Sequence, residues 1–337
     1  MKIILNHSKF AKSLSYASRS VSQKPNIPIL SNVLMEATKT NLKLSATNLE
    51  MSINVWIPGV IEEEGKTTVS AKYISDFVSA SSSENVNIQL NDNVLKVETE
   101  NSKANFNTIS ATEFPVIPNT NGESIFSISS KDFVVAMDKI LFACSTDMSA
   151  GKIQQTGVLF EFDEKEKEKI VFVGLDGFRL SRRVTKVQIE KKEMTKEQII
   201  VPSKYLTDVV KIIEDLDDVE EIEVFLTENK SQIIFKFDEI EFGIRLLEGP
   251  YPDYKRILPD SSTFSFEVKK TELEEAIKIA NTFARSNLGN KTLFDLDIEN
   301  SIVNLKSAVQ GIGENEASFK VSNISAESDL NAAYNLR

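Results

Sequence analysis

The stretch VPSKYLTDVV, residues 201–210, has a near copy earlier in the chain, VSAKYISDFV at residues 69–78. Both stretches place a Lys-Tyr pair ahead of apolar residues that recur at the spacing of one helix face. A stretch that occurs twice in one chain indicates a duplicated structural unit. The segments on either side should then recur in the same order.

The segments that flank the repeated stretch do recur. ENVNIQLNDNVLKV (84–97) and EEIEVFLTENKSQI (220–233) each alternate apolar and polar residues around a polar turn, which is typical of a β-hairpin. Upstream, a short strand-like segment leads into a helical pattern, and this opening occurs three times. The apolar faces of the three helices consist of Phe10, Leu14 and Ala17, of Phe133, Met137 and Ile140, and of Leu273, Ile277 and Ala280. The sequence therefore predicts three copies of one unit.

Two proline-rich segments separate the copies. Five of the nine prolines fall in FPVIPNTNGES (114–124) and GPYPDYKRILPD (249–260). Proline fixes φ and is excluded from central strands, so these segments are typical of stiff connectors. We predict an α+β fold in which a domain of two helices and antiparallel sheet occurs at residues 1–120, 121–258 and 259–337. The third copy is predicted to be incomplete, because the chain ends where the other two would enter their second helix.

Composition bounds the class of protein. The chain has 337 residues, of which 41% are hydrophobic, enough for more than one core. It has no run of 18 apolar residues, and its first ten residues lack the features of a secretory signal, so a cytoplasmic protein is expected. One cysteine and one histidine exclude an internal disulfide and a Cys/His metal site. No metal and no cofactor are expected.

The usual patterns of catalytic sites are missing from the sequence. There is no phosphate-binding loop, and Gly311-Ile-Gly313 lacks the third glycine of a dinucleotide-binding turn. His7 stands between a predicted strand and helix, where a capping or core role is favoured over catalysis. Cys144 follows an apolar helix face and is expected to be a buried, inert thiol. The acidic run Glu214–Glu228 contains no base and is typical of a solvated surface. A protein that is not an enzyme is therefore predicted.

Charge is spread unevenly along the chain. The formal net charge is −11, yet residues 1–60 contain seven Lys or Arg against two acidic residues. Such asymmetry fits a protein with one basic face on an acidic body. The basic candidates are Lys9, Lys12 and Arg19, which lie off the apolar stripe of the first helix, and Lys72 and Lys204, the matched lysines of the repeated stretch. On these residues alone, DNA contact and simple solvation both remain open.

Several stretches resemble one protein family in order and spacing. They are NIPILSNVL (26–34), TNLEM (47–51), TGVLFE (156–161), DGFRL (176–180), VPSKY (201–205) and YPDYKRILP (251–259). The whole chain resembles the bacterial DNA polymerase III β subunit, the replicative sliding clamp. The resemblance implies three tandem clamp domains and a non-catalytic function. Two chains would join head to tail into a homodimeric ring around double-stranded DNA, which would be bound without sequence preference.

The resemblance also implies a site for partner proteins. A groove between the second and third domains would accept short, partly hydrophobic peptides from the polymerase III catalytic subunit, the clamp loader and repair polymerases. Carried over by residue, this groove consists of Gln155, Leu175, Gly177, Phe178, Arg179, Leu180, Pro252, Arg256 and Ile257. Gln155 departs from the family, which usually has an apolar residue there.

Residues for DNA and for the dimer follow from the same resemblance. Lys24 stands where the family commonly has an arginine near DNA. The dimer interface would include Lys72, Lys103 and Phe106 of one chain and Phe283 of the other, with Asp295 and Asp297 as possible partners of Lys103. The family completes its third domain with a helix, a hairpin and a final strand that are missing from this sequence. The alternative function is therefore a clamp-derived interaction scaffold that no longer closes a stable ring.

Overall fold

One succession of strands and helices occurs twice, and its first part a third time, in a computed structural model of the chain. The structure describes residues 1–22, 27–118, 120, 123–162, 168–190, 198–216, 218–286, 291–326 and 330–336. Copy 1 consists of β1 (Lys2–Asn6), α1 (His7–Arg19), β2 (Asn32–Ala37), β3 (Asn41–Thr47), β4 (Met51–Glu63), β5 (Gly65–Ser70), α2 (Ala71–Ala80), β6 (Asn85–Asn91), β7 (Val94–Glu98) and β8 (Lys103–Asn107). Copy 2 consists of β9 (Phe126–Ser129), α3 (Ser130–Ile140), β10 (Gly157–Phe162), β11 (Lys169–Leu175), β12 (Leu180–Lys186), β13 (Gln188–Ile189), β14 (Gln198–Pro202), α4 (Ser203–Asp215), β15 (Glu221–Leu226), β16 (Gln232–Phe237) and β17 (Ile240–Arg245). Copy 3 consists of β18 (Phe264–Glu267), α5 (Lys270–Ala284), β19 (Lys291–Asp297), β20 (Ile302–Val309), β21 (Gly313–Lys320), β22 (Ser322–Ala326) and β23 (Leu330–Asn335).

The repeated stretch forms the end of a strand and the start of a helix in both places. β5 leads directly into α2, and β14 leads directly into α4. The buried residues of the two helices include Ile74 and Val78 in α2 and Leu206 and Val209 in α4. The spacing of these residues places them on one face, which packs on the sheet. The helix boundary is thus set by where the alternating pattern of a strand changes to the spacing of a helix.

The opening helices of copies 1 and 2 begin in the same way. The side chain of Asn6 accepts a hydrogen bond from the backbone N–H of Lys9 at 3.0 Å, and Ser129 accepts one from Asp132 at 3.1 Å. Such N-caps satisfy a backbone donor that the helix itself leaves free. His7, the first residue of α1, lies with its Nε2 3.0 Å from the carbonyl oxygen of Val78. This structural role for the histidine is what the sequence predicts.

Strand pairing shows how the copies correspond. The long strand β4 pairs along its first part with β3 and along its second part with β1. In copy 2 two separate strands take its place: β12 pairs with β11, and β13 pairs with β9. In copy 3 there are again two strands: β21 pairs with β20, and β22 pairs with β18. β23 pairs with β19 as β5 pairs with β2. The described part of copy 3 therefore contains counterparts of every element from β1 to β5.

Copies 1 and 2 belong to one compact unit, Met1–Pro252. β17 of copy 2 pairs antiparallel with β4 of copy 1, which makes one sheet of thirteen strands continuous across both copies. At this junction the carboxylate of Glu241 is buried, and it accepts hydrogen bonds from Thr120 at 2.7 Å and from Asn54 at 3.4 Å. β12, β11, β10 and β14 form a separate four-stranded sheet in that order.

Copy 3 forms the second unit, Asp253–Arg337. Its main sheet has the order β21-β20-β19-β23, and β18 pairs with β22. One face of α5 packs on this sheet through Ala276 and Ala280, against Leu296, Leu305 and Phe319. None of the helices in the described ranges has the length and apolar run that crossing a membrane requires.

Candidate functional site

A tight turn between β11 and β12 displays an aromatic side chain. Leu175 and Leu180 pair at the ends of the two strands, and four residues join them. Gly177 has φ of +89°, a conformation that favours glycine because other residues would place a Cβ against the backbone. Phe178, which follows it, is 97% exposed, whereas Leu175 is buried. The turn therefore presents one large apolar group to solvent.

Asp176 fixes the shape of this turn. Its Oδ1 accepts hydrogen bonds from the backbone N–H groups of Phe178 at 2.9 Å and Arg179 at 2.8 Å. Its Oδ2 accepts from Nε of Arg179 at 3.0 Å and from Nη2 at 2.8 Å. Partial burial opposes ionisation of Asp176, but these hydrogen bonds outweigh it and lower the pKa of the carboxyl group. The carboxylate form thus holds both the turn and the guanidinium.

Gln155 lies beside the turn with an unused acceptor. A Cβ built on Gly177 would lie 4.0 Å from Oε1 of Gln155. That Oε1 is buried and has no hydrogen-bond partner among the described residues. The backbone of Gln155 is fixed, since its carbonyl oxygen accepts from the N–H of Ser145 at 2.9 Å. A buried acceptor without a partner costs free energy, because the oxygen has lost its water without gaining a hydrogen bond.

The connector after β17 is fastened to the same region of copy 2. The hydroxyl of Tyr251 donates to the carbonyl oxygen of Val173 at 3.2 Å, and Nε2 of Gln154 donates to the carbonyl oxygen of Glu248 at 2.8 Å. Pro252, the next residue, is half-buried. Sequence reasoning named Pro252 but missed Tyr251 and Gln154, because nothing in the local pattern shows which strand a connector will contact.

Two residues assigned to the groove belong to the second unit. Arg256 and Ile257 lie in a 3₁₀ turn, Tyr254–Ile257, and both are exposed. Nε of Arg256 lies 2.8 Å from Oδ2 of Asp253. Ile257 is 65% exposed and so offers a second large apolar side chain to solvent.

The 139–155 segment of copy 2 contains further exposed apolar residues, which were missed in the sequence. It adjoins the turn between β11 and β12, since Ser181 bonds to the carbonyl oxygen of Lys139 at 2.5 Å. Phe142, Met148 and Ile153 in that segment are all exposed. Isolated exposed apolar residues are common, but several beside an unpartnered acceptor are typical of an interaction surface.

The four helices of the first unit form a row in the order α2, α1, α4, α3. α1 packs on α2 and α3 packs on α4. The hydroxyl of Tyr16 donates to Oδ2 of Asp215 at 2.6 Å, and Arg19 lies 3.6 Å from Asp208, so α1 and α4 are antiparallel neighbours. This hydrogen bond from Tyr16, followed by the charge of Lys12, lowers the pKa of Asp215.

The predicted basic residues differ in whether their side chains are exposed or are hydrogen-bonded within the chain. Lys9, Lys72 and Lys204 are exposed. Nζ of Lys204 lies 5.5 Å from the ring centroid of Tyr205. In contrast, Nζ of Lys12 donates to the carbonyl oxygen of Asp215 at 2.6 Å. Lys24 lies outside the described residues.

The residues assigned to the dimer interface lie in two places. Lys103 and Phe106 are on β8, where the ring of Phe106 meets that of Phe77 edge-on at 5.9 Å. Phe283 is at the end of α5. Asp295 and Asp297 were named as partners for Lys103, but each has a partner within its own copy. Asp295 lies 3.5 Å from Nζ of Lys306, and Asp297 bonds to Asn300.

The remaining candidates for chemistry show no reactive geometry. Cys144 is buried as predicted, and desolvation raises the pKa of its thiol to about 12, so that it stays protonated at neutral pH. Within the described ranges, no three His, Cys, Asp or Glu residues come together as a metal site.

Comparisons with known proteins agree with the repeat. The family model described as "DNA polymerase III beta subunit, N-terminal domain" matches residues 1–118, and the one described as "DNA polymerase III beta subunit, central domain" matches residues 127–253. The beta sliding clamp of Treponema pallidum is 31% identical over 284 residues, which cover 82% of this chain and 72% of the relative. That of Rickettsia felis is 29% identical over 280 residues, with the same shares. The crystal structure of the DNA polymerase sliding clamp from Bacillus subtilis superposes with a TM-score of 0.91 at 24% identity, covering 100% of this chain and 87% of that one. The last likeness shows that the fold is the same.

Proposed function

The chain belongs to the family of the bacterial DNA polymerase III beta subunit, the sliding clamp, and on this premise we propose that it closes around duplex DNA as a head-to-tail dimer. As a member of this family it is a non-catalytic subunit. The proposed ring tethers the polymerase III catalytic subunit, the clamp loader and repair polymerases through short peptides. The pairing of β17 with β4 carries the proposal, because it is an internal example of one copy joining the next.

Among the described residues, two strands that match the two sides of this junction stand at the ends of their sheets. β8 is the counterpart of β17 and ends its sheet. β21 is the counterpart of β4 and ends the sheet of copy 3. Unpaired strand edges favour pairing with another chain. β8 of one chain therefore fits β21 of a second copy, and the same contact in reverse would join the two chains a second time.

The register of the internal junction predicts which residues would meet between chains. Glu241 lies opposite Asn54 where β17 meets β4. Strands β6, β7 and β8 form a three-strand meander in copy 1, and β15, β16 and β17 form the equivalent meander in copy 2. When the paired residues are followed across the two meanders, Lys103 of β8 is the counterpart of Glu241 of β17. The registers of β3–β4 and β20–β21 likewise make Glu316 the counterpart of Asn54. Lys103 would then face Glu316, a pair of opposite charges in which Glu316 also lies 3.5 Å from Nζ of Lys306 in its own copy.

The same register brings aromatic residues together. Phe106 would lie opposite Gly313, whose missing side chain leaves room for a ring. A Cβ built on Gly313 would lie 3.5 Å from the ring of Phe283. With Phe77 already against Phe106, three rings would meet at the centre of the interface. Aromatic clusters of this kind contribute strongly to protein interfaces.

A groove repeated in copies 1 and 3 supports the correspondence independently. In copy 1 a cleft of about 590 Å³ lies between α1 and β4, and residues of copy 2 close its other side. In copy 3 a cleft of about 470 Å³ lies between α5 and β21. The helix positions that line the two clefts correspond one to one: Lys9, Lys12, Ser13 and Tyr16 in the first, and Glu272, Glu275, Ala276 and Ile279 in the second. Copy 1 of a second chain would close the cleft in copy 3.

The row of helices supports contact with DNA. Exposed lysines on α1, α2 and α4 can approach phosphates, and none of the helices needs to enter a groove to do so. Contacts to phosphate position a protein without reading bases, so the ring could move along the duplex. The carboxylates Asp208 and Asp215, which lie beside Arg19 and Lys12, would keep the attraction moderate.

The turn at Phe178 supports peptide binding. Phe178 supplies a large exposed apolar side chain on a turn whose shape Asp176 fixes. A mostly apolar surface with a few fixed polar groups is typical of peptide and ligand sites.

A charge exchange tests the dimer. We expect K103E and E316K each to weaken self-association about tenfold, because each places like charges opposite one another. The double variant K103E/E316K should recover the affinity of the natural chain to within about threefold. Sedimentation equilibrium measures the dissociation constants, with K39E, a change in the exposed β2–β3 turn, as the matched control. Dissociation constants that are unchanged in both single variants would contradict the proposed interface.

A further inference from the structure

The repeated stretch contains two tyrosines whose surroundings differ. Tyr205, in α4, is partly buried and packs against the core of the first unit. Tyr73, at the same position of α2, is 65% exposed, more than any other large apolar or aromatic side chain on the five α-helices of the described ranges. Because the sequence around the two tyrosines is nearly the same, the difference comes from what lies beside each helix.

A turn of copy 1 lies against Tyr205. This turn, residues 48–51, joins β3 to β4 at the junction with copy 2, where the carbonyl oxygen of Glu50 accepts a hydrogen bond from the N–H of Arg245 at 2.8 Å. The side chain of Asn48 is hydrogen-bonded to the hydroxyl of Tyr205. Burial and then the charge of Glu50 raise the pKa of Tyr205, although the hydrogen bond with Asn48 acts against them. Tyr205 is thus a contact between one copy and the next.

The corresponding side of α2 is the end of the helix row. In the first unit α4 lies between α1, which belongs to copy 1, and α3, which belongs to its own copy. α2 packs on α1 of its own copy, just as α4 packs on α3. The side of α2 that matches the copy 1 side of α4 therefore faces away from the row, which leaves Tyr73 exposed.

Copy 3 contains the counterpart of the turn that lies against Tyr205. β20 and β21 correspond to β3 and the first part of β4, and residues 310–312 join them. Each turn has a residue in the left-handed conformation, Leu49 with φ of +75° and Gly311 with φ of +78°. The copy 1 turn offers the amide of Asn48, whereas the copy 3 turn offers the side chain of Ile312, which is 74% exposed. The copy 3 turn is therefore suited to the ring of a tyrosine rather than to its hydroxyl.

We propose that Tyr73 packs on Ile312 of a second copy of this chain. This inference rests on the head-to-tail association proposed above. β8 on β21 would bring α2 beside the 310–312 turn, just as β17 on β4 brings α4 beside the 48–51 turn. Tyrosine rings supply much of the binding energy of protein interfaces, because they bury a large area at little cost in side-chain entropy. The two chains would then be joined in two layers, through strands in the sheet and through Tyr73 in the helix layer.

Alanine at residue 73 or at residue 205 gives a matched pair of variants. We expect Y73A to weaken self-association about tenfold, because it removes an aromatic contact between chains. Y73A should leave the urea unfolding of the monomer unchanged, since an exposed side chain contributes little to the fold. Y205A should do the reverse, lowering the stability of the monomer while the dimer dissociation constant stays within about threefold. Sedimentation equilibrium measures association, and unfolding is followed below the dissociation constant.

A double-mutant cycle tests the pairing of Tyr73 with Ile312. I312A should weaken self-association by about the same factor as Y73A, and Y73A/I312A should be within about threefold of either, because all three remove one contact. Y73F should keep the affinity of the natural chain, since the ring and not the hydroxyl makes the contact. V116A removes another exposed apolar side chain of copy 1 and is the control that should have no effect.

The possible failures are distinct. If K103E weakens self-association but Y73A and I312A do not, the head-to-tail dimer stands and the contact of Tyr73 is wrong. If the effects of Y73A and I312A multiply in the double variant, the two side chains contact different groups and the pairing is wrong. If Y73A leaves association unchanged but weakens binding to duplex DNA, Tyr73 faces DNA instead. A natural chain that stays monomeric would overturn both this contact and the proposed ring.

Discussion

At the scale of single residues, the turn at Asp176 separates two roles that the sequence presents together in DGFRL. Arg179 is bonded to Asp176 and stabilises the turn, whereas Phe178 is almost fully exposed. Sequence reasoning could place both in one groove but could not distinguish them. The difference depends on which side chain the carboxylate captures, and that is visible only in the folded turn.

Phe178 should therefore be the main contributor to peptide binding at this turn. We expect F178A to weaken binding of a labelled peptide from the C-terminal segment of a polymerase III catalytic subunit by roughly 30-fold, since a fully buried Phe contributes about 2 kcal/mol or more. Fluorescence anisotropy measures the affinity. V116A, at a site of similar exposure in the copy 1 connector, is the control and should have no effect. Unchanged affinity in F178A would show that the peptide binds elsewhere.

R179A should act differently from F178A. Loss of the guanidinium removes two hydrogen bonds to Asp176 and loosens the turn that presents Phe178. We expect weaker peptide binding together with faster amide hydrogen exchange at residues 176–180, whereas F178A should leave exchange there unchanged. If R179A changes neither property, the turn does not depend on this ion pair.

Asp215 gives the junction of α1 and α4 a defined pH dependence. The pKa of Asp215 is lowered in the folded chain, so its contribution to stability is present above its unfolded pKa of about 4 and is lost as pH falls through the folded value. At pH 7, D215N should have a lower free energy of unfolding than the natural chain. This difference in free energy should become smaller below about pH 4. Urea unfolding of both chains at several pH values measures this difference. An undiminished difference in the free energy of unfolding at pH 2 would contradict the role given to Asp215.

At the scale of elements, local pattern was sufficient to find the helices and hairpins. The apolar spacing in α1, α3 and α5 and the strand-to-helix change in the repeated stretch are all properties of neighbouring residues. The pairing of β17 with β4 could not be predicted in this way. It joins strands that are distant in the chain, and its buried Glu241 is satisfied by Thr120 and Asn54 from other segments. Contacts at long range depend on packing, which no local window contains.

The helix row should bind DNA through charge alone. We expect K72A and K204A each to weaken binding to duplexes of any sequence by a similar factor, and each to reduce the slope of log affinity against log salt by about one. Titrations of fluorescent duplexes of two unrelated sequences at several salt concentrations measure both. K39A, on an exposed turn of copy 1, is the control. A loss confined to one sequence would contradict contact through phosphates.

At the scale of the whole molecule, the proposed ring repeats between chains the junction that joins copies 1 and 2. The internal pairing of copies 1 and 2 supplies the register, and β8 and β21 supply the open edges. Symmetric assemblies form when one contact recurs and closes on itself. Triplication was predictable from the sequence because it repeats short patterns, but the residues that would join two chains were not. The sequence suggested Asp295 and Asp297 as possible partners of Lys103, whereas the register of the proposed interface would place Glu316 opposite it.

The central claim is that the assembled chain surrounds DNA, and topological retention tests it most directly. The chain is loaded onto a nicked circular plasmid with a bacterial clamp loader and washed at a salt concentration that removes contacts to phosphate. We predict that it stays on the circle and is released when a single cut makes the plasmid linear. Release from the intact circle, or equal retention on circular and linear DNA, would contradict the account.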